Sequence, residues 1–293
     1  MIEFSKYQGV GNDFVVVELG SVPDDELPSL AVRLCERRFS VGADGLLALG
    51  ALPNRSADDR IPRLAFRMFN PDGSEDMCGN GLRCAILWAF RQRILAGDTG
   101  TLLLHCFDHV RTGTLNAADA DGAHATITVE MGLPIFDPER IPFSGPVDRT
   151  YPSPRAVVTV GSDAIELYLV NTGSAHAVIF GDKPPTEEAF FGLSPVIENL
   201  SWFPERTSIM WTSPAGRARY DVRIWERAVG ETLGCGTGAT AIAATAWATG
   251  RVEVDKPVTI VSKGGELRCS PQGKRGISMA GPASWIFDGV AAG

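Results

Sequence analysis

Two short segments of the chain repeat one another. Met77-Cys78-Gly79-Asn80-Gly81 and Gly234-Cys235-Gly236-Thr237-Gly238 each set a cysteine ahead of spaced glycines, with acidic residues just upstream (Glu75 and Asp76; Glu231). Each opens onto an apolar stretch, Leu82-Arg83-Cys84-Ala85-Ile86-Leu87-Trp88-Ala89-Phe90 in one case and Ala239-Thr240-Ala241-Ile242-Ala243-Ala244-Thr245-Ala246-Trp247-Ala248 in the other, with Gly97 and Gly250 as stops. Both stretches read as helices that are apolar on nearly every side, and such a helix has to be surrounded by protein. A twisted sheet curling around each helix would enclose it. The chain is therefore expected to fold as two similar halves, each built on one cysteine-led helix.

The placement of the cysteines says what they can do. The first turn of a helix leaves backbone N–H groups without partners and carries the positive end of the dipole, which stabilises a thiolate. Glycines beside the cysteine let the backbone approach a ligand, so the same N–H groups can hold a carboxylate. A single turn of this kind suits a nucleophile, a thiol sensor or an ordinary packing cysteine. Two suit a substrate carboxylate held by two helix ends, with one sulfur on each face of the adjacent carbon. A thiolate then removes a proton while a thiol returns one from the opposite side, and the stereocentre inverts.

Strand-like segments, β-branched or alternating, are predicted at 65–70, 101–107, 125–130, 156–160, 165–171, 175–180, 207–212, 219–225, 258–261 and 277–280. A third helix is expected over Asp25–Arg38. The stretch from Pro134 to Pro154, with prolines at 134, 138, 142, 146, 152 and 154, breaks regular structure and reads as the crossing between halves. One domain is expected at 1–132 plus 277–293, with Cys78, and the other at 133–276, with Cys235.

A formal charge of −8 argues against nucleic acid or an anionic membrane as partner, because either needs a basic surface. A small molecule is the expected ligand. The N-terminus, MIEFSKYQ, has no apolar core of a secretory signal, and no run approaches a membrane span. The six cysteines, at 35, 78, 84, 106, 235 and 269, form no CxxC pair, which weakens zinc-ribbon and thioredoxin readings and favours the reducing cytoplasm. His105-Cys106-Phe107-Asp108-His109 is the one metal-like cluster, but it follows the strand-like Thr101–Leu104, where histidines four apart do not share a ligand geometry. No metal is expected.

At this point the residues carry a resemblance. Gly9-Val10-Gly11-Asn12-Asp13-Phe14, Phe69-Asn70-Pro71-Asp72-Gly73-Ser74-Glu75, Cys78-Gly79-Asn80-Gly81, Glu226-Arg227, Gly230-Glu231-Thr232 and Cys235-Gly236-Thr237-Gly238 together resemble, in order and over nearly the whole length, the diaminopimelate epimerase family of pyridoxal-independent enzymes. The resemblance implies an α/β fold of two pseudo-symmetric domains, each a mixed, mostly antiparallel sheet wrapped around a central helix. It implies a cofactor-independent isomerase taking a small-molecule amino-acid substrate, with LL- to meso-diaminopimelate as the leading reaction and a homodimer as the candidate assembly. By the same resemblance Cys78 and Cys235 are the acid/base pair and the N–H groups of Gly79, Asn80, Gly236 and Thr237 hold the α-carboxylate. Asn12 meets the α-ammonium, and Asn70, Glu226 and Arg227 contact the far end of the substrate. Charge builds on the carboxylate as the α-proton leaves, and preorganised donors there replace a pyridoxal electron sink. Arg227 can grip a distal carboxylate through two parallel hydrogen bonds. From the residues alone, Arg227 could equally be a strand-end ion pair and Asn12 a turn residue.

Three positions depart from the family pattern. Gly45 stands where glutamine is usual after the aspartate, Gly173-Ser174-Ala175-His176 where the family has Gly-Asn-Pro-His, and Pro204-Glu205-Arg206-Thr207-Ser208 where it has Pro-Glu-Arg-x-Asn. Ser174 and Ser208 thus replace two amides expected on the distal amino-acid group; serine can still donate to a carboxylate, but it is shorter. A racemase of another amino acid therefore stands as the alternative. A cysteine-nucleophile hydrolase would need a histidine beside its sulfur, and none is evident in the sequence.

Overall fold

The computed structural model describes residues 1–53, 60–95, 100–106, 109–149, 152–160 and 163–292. They form two compact units, residues 1–130 with 280–293, and residues 131–279.

In the first unit β1 (Ile2–Gly9) pairs antiparallel with β2 (Asn12–Glu18), and α1 (Leu27–Cys35) leads from β2 to a parallel neighbour, β3 (Gly45–Leu52). Strand β4 (Arg63–Phe69) is antiparallel to β3 and to the short β5 (Glu75–Asp76). Helix α2 (Gly79–Arg91) then crosses to β6 (Thr101–Cys106), parallel to β4, and β7 (His109–Ala118) and β8 (His124–Gly132) follow antiparallel.

In the second unit β9 (Arg155–Val160), β10 (Asp163–Asn171) and β11 (Ala175–Phe180) form an antiparallel meander, and α3 (Glu187–Glu198) leads to β12 (Ser208–Gly216), parallel to β11. Strand β13 (Arg219–Glu226) is antiparallel to β12 and to β14 (Gly230–Thr232). Helix α4 (Gly236–Ala248) crosses to β15 (Val258–Ser262), parallel to β13, and β16 (Gly265–Pro271) returns antiparallel. Pairing senses from β10 through β16 repeat those from β1 through β7. The last strand, β17 (Ile277–Ala291), pairs with β1 over its second half. The α/β class and the two similar halves implied by the resemblance are found.

Burial follows from the residue patterns. In β6 the inward side chains are Leu102, Leu104 and Cys106, the period-two alternation of a strand with one face covered. Strand β3 is instead buried continuously over Gly45–Leu49. Leu46 and Ala48 pack with Leu27, Leu30, Ala31 and Leu34 of α1. On the opposite face Leu47 lies under α2, its Cδ2 only 3.1 Å from where a Cβ at Gly81 would sit. Full burial of one such leucine is worth roughly 1.5–3 kcal/mol. Helix α2 is buried from Gly79 to Ala89, and α4 over Gly236 and from Gly238 to Trp247, so both are enclosed as their composition requires.

Several elements differ from the sequence reading. Helix α1 covers only Leu27–Cys35: Asp24–Glu26 is a 3-10 turn before Pro28, and the N–H groups of Gly42 and Ala43 close the far end on Leu34 O and Cys35 O. Helix α3 was not foreseen, because Pro195 sits inside it; its signal is the Thr186 cap, whose hydroxyl accepts the Ala189 N–H at 3.1 Å. Strand β17 runs on to Ala291 rather than ending at Ala280. The proline stretch contains a 3-10 turn, Pro138–Arg140, and isolated bridges from Ile135 to Asn171 and from Asp148 to Arg155. Gly97, Phe107 and Asp108 lie outside the described residues. Among the described residues no helix is long and apolar enough to cross a membrane.

Candidate active site

The two cysteines cap their helices with one backbone geometry. Cys78 has φ −129° and ψ 120° ahead of α2, and Cys235 has φ −130° and ψ 115° ahead of α4. Extended backbone at the cap turns the first N–H groups of the helix outward, where they lack intrahelical partners. The last glycine of each turn is a close approach: a Cβ at Gly81 would lie 3.1 Å from Leu47 and 3.3 Å from Phe66, and one at Gly238 would meet Met210 Sδ at 2.5 Å. Each helix end is thus seated directly on its sheet.

Around Cys78 the polar side chains of the first unit converge. Cys78 Sγ lies 3.5 Å from Asn12 Oδ1, to which it donates, and Asn80 Nδ2 donates to the same oxygen at 3.2 Å. Asn12 Nδ2 donates to Asp44 Oδ2 at 2.8 Å. Behind Asn80, the fully buried Arg83 donates to Asn80 Oδ1 at 2.8 Å and to the Pro282 carbonyl at 3.1 Å. Behind Asp44, Arg37 Nη2 bridges Asp44 Oδ1 and Asp13 Oδ1, each at 2.6 Å, and Lys6 pairs with Asp13 at 2.7 Å while reaching the Gly42 carbonyl. Burial pushes the Asp13 carboxyl up, but the hydrogen bonds from Arg37 and Lys6 outweigh it and hold the group below its ordinary range.

Around Cys235 the nearest polar groups come from the start of its own helix. Its sulfur accepts the Gly238 N–H at 3.3 Å and lies 3.3 Å from Thr237 Oγ1. Thr172, in the β10–β11 turn, donates to the Thr237 carbonyl at 2.8 Å and ties that turn to the helix end. The turn also carries Ser174, whose carbonyl accepts His176 Nδ1 at 2.7 Å. His176 is fully buried, and desolvation pushes its imidazole down to about 4, so the ring is neutral and Nδ1 is the donor. Its Nε2 has no hydrogen-bond partner among the described residues.

The remaining predicted residues are held by their own units. Asn70 follows β4 and donates to Ser74 Oγ at 3.0 Å across a tight turn. Ser208 is buried, and its hydroxyl accepts the Arg227 N–H at 3.1 Å. The Arg227 guanidinium reaches the Glu205 carbonyl at 3.2 Å, and Glu226 Oε1 accepts from Thr232 at 2.5 Å. The Glu226–Val229 turn is clamped from α3 by the buried Glu198, whose carboxylate accepts Trp225 Nε1 at 2.7 Å and the Ala228 N–H at 2.8 Å. Gly45 packs against β4: a Cβ there would lie 2.8 Å from Met68 Cε and 3.0 Å from the Phe69 carbonyl, so a side chain at this position requires Met68 to move aside.

Asp44, Arg83, Thr172 and Glu198 escaped the sequence reading. The signal at Arg83 was its charge inside an apolar helix. Of the other cysteines, Cys35 and Cys84 are pushed up to about 12 and Cys106 to about 11 by burial, which marks them as packing residues. His105 Nε2 accepts from Arg63 Nε at 3.0 Å, so that ring nitrogen is already engaged.

The family model for diaminopimelate epimerase matches residues 4–136 and 168–286. A diaminopimelate epimerase of Desulforudis audaxviator is 38% identical over 292 residues, covering 98% of both chains, and one of Xanthomonas campestris is 36% identical over 98% of this chain and 95% of its own. Among solved structures, a hydroxyproline epimerase from Agrobacterium vitis superposes with a TM-score of 0.65 at 17% identity, over 98% of this chain and 90% of that one. A phenazine biosynthesis protein from Bacillus anthracis gives 0.61 at 17% identity, over 98% and 97%. At these identities the structural likeness shows the fold.

Proposed function

The chain belongs to the diaminopimelate epimerase family, and from that premise we propose that it interconverts LL- and meso-diaminopimelate with Cys78 and Cys235 as its acid/base pair. The observation that carries the reading is the matched cap geometry of the two cysteines, each placing a sulfur beside the first-turn N–H groups of a buried helix. Those of Gly79, Asn80, Gly236 and Thr237 hold the α-carboxylate, where negative charge grows as the α-proton leaves. Asn12 Oδ1 receives the α-ammonium. Asn70, Ser174, Ser208, Glu226 and Arg227 serve the distal end, Ser208 by fixing the Arg227 backbone as well as by its place in the pattern.

Cys235 Sγ accepts the Gly238 N–H, and Cys78 Sγ lies beside Asn12 Oδ1. One of the two, as thiolate, removes the α-proton while the other, as thiol, supplies the replacement; the roles exchange in reverse.

Racemisation of a different amino acid is the second reading. The packed Gly45 and the short hydroxyl of Ser208, which accepts the Arg227 N–H, favour it because both alter the expected distal pocket. Incubation with a panel of amino acids in deuterated water decides between them. Deuterium entering the α-position of diaminopimelate, with inversion, is the expected outcome; exchange in another amino acid alone would establish the second reading, and exchange in none would refute both. The six free cysteines support a reducing compartment, and we place the enzyme in the cytoplasm. A homodimer is the proposed assembly, tested by a sedimentation mass of twice 31.3 kDa.

A further inference from the structure

Four side chains of the first unit form one directional line of hydrogen bonds. Arg83 Nη2 donates to Asn80 Oδ1 at 2.8 Å, Asn80 Nδ2 donates to Asn12 Oδ1 at 3.2 Å, and Asn12 Nδ2 donates to Asp44 Oδ2 at 2.8 Å. The line starts at a buried cation and ends at an anion. An amide exchanges its donor and acceptor ends by half a turn, so its orientation is set by whatever stands at each end. Were Asn12 reversed, its oxygen would face the Asp44 carboxylate and its NH2 would face the NH2 of Asn80. Both contacts would be repulsive. In the orientation observed, Asn12 Oδ1 points to Cys78 Sγ, 3.5 Å away.

Asp44 is itself fixed from behind. Oδ1 accepts from Arg37 at 2.6 Å, and Oδ2 accepts the Asp13 N–H at 3.0 Å together with Asn12. Arg37 also holds Asp13, which pairs with Lys6. The carboxylate that orients Asn12 is therefore part of a charged lattice and not a free surface group.

We propose that Asp44 is a positioning residue for the reaction: it acts through Asn12, holding Oδ1 toward Cys78 and keeping an acceptor where the substrate ammonium binds. The inference rests on the proposed roles of Asn12 and Cys78. Asp44→Ala should lower kcat/KM roughly 10- to 100-fold, the loss expected for a hydrogen bond to a charged group. A general loss of structure would do the same, so the deciding measurement is a double-mutant cycle. In an Asn12→Ala background, Asp44→Ala should cost less than about twofold more. Asp44→Asn guards against a misfolded alanine variant, since its single oxygen can serve Asn12 or Arg37 but not both; it should show a smaller loss that also vanishes without Asn12. Multiplying losses in the cycle, or wild-type kcat/KM in either variant, would overturn the proposal. A second readout does not depend on the reaction: the Asn12 side-chain amide protons should exchange slowly with solvent in the wild type and faster in Asp44→Ala. If the wild type turns over no amino acid, the proposed reaction fails while this amide signal still reports the hold of Asp44 on Asn12. Unchanged amide exchange in Asp44→Ala refutes that hold whatever the substrate.

Discussion

His176 shows how one buried residue ties function to solution conditions. Its folded-state imidazole lies near 4, below the ordinary value of 6.5, so between these pH values the unfolded chain binds a proton that the folded chain does not. The stability it contributes is fully present above pH 6.5 and is lost as pH falls toward 4. The urea midpoint of the wild type should therefore drop between pH 7.5 and pH 5, and His176→Gln should flatten that drop; equal slopes for the two proteins would contradict it. Carboxylates held low, such as Asp13, lose their contribution only at more acidic pH. At this scale the sequence was an uneven guide. Cys78, Cys235 and the glycines beside them were legible because the repeated turn writes them next to one another. Asp44 was not, since its partner Asn12 lies 32 residues away and only the β2–β3 pairing brings them together. Glu198, 30 residues from the Ala228 N–H that it accepts, was hidden for the same reason.

The elements carry the site by the way they begin. Helices α2 and α4 were readable as enclosed because each lacks a polar face, and their starts were readable from the cysteine-glycine turn. The strands β1, β2, β3, β5, β7, β14 and β16 were missed. In β2 and β3 the apolar residues run on without alternation, as in Leu46-Leu47-Ala48-Leu49, because helices cover β3 on both faces, and a continuous run does not distinguish strand from buried helix. Backbone constraints at element junctions were equally silent. Gly276 leads into β17 with φ 90° and ψ −120°, and a Cβ there would fall 2.0 Å from the Gly132 carbonyl oxygen. That conformation is essentially restricted to glycine. Gly276→Ala should destabilise the protein by roughly 3 kcal/mol or more, from backbone strain and overpacking together. Chemical denaturation measures it, and a change under 1 kcal/mol would show that the junction relaxes.

At the scale of the whole molecule, the repeated turn is the visible remnant of a larger repetition. Pairing senses from β1 to β7 recur from β10 to β16, and in each unit one helix leads into the first parallel pairing and the cysteine-led helix into the second. Almost none of this shows in the residues outside the two turns, because a strand's place in a sheet constrains its pattern of burial and not its letters. The sequence resemblance to one enzyme family bridged that gap, and the match across both halves bears it out. The proposed mechanism requires a thiol from each half for one inversion. Turnover of diaminopimelate by Cys78→Ala and by Cys235→Ala, each shown to be folded by circular dichroism, measures that requirement. Loss of both acid/base partnerships predicts that epimerisation falls by roughly 10²- to 10⁴-fold or more in each variant, the contribution of a positioned acid or base. Full turnover by either one would contradict the two-thiol account.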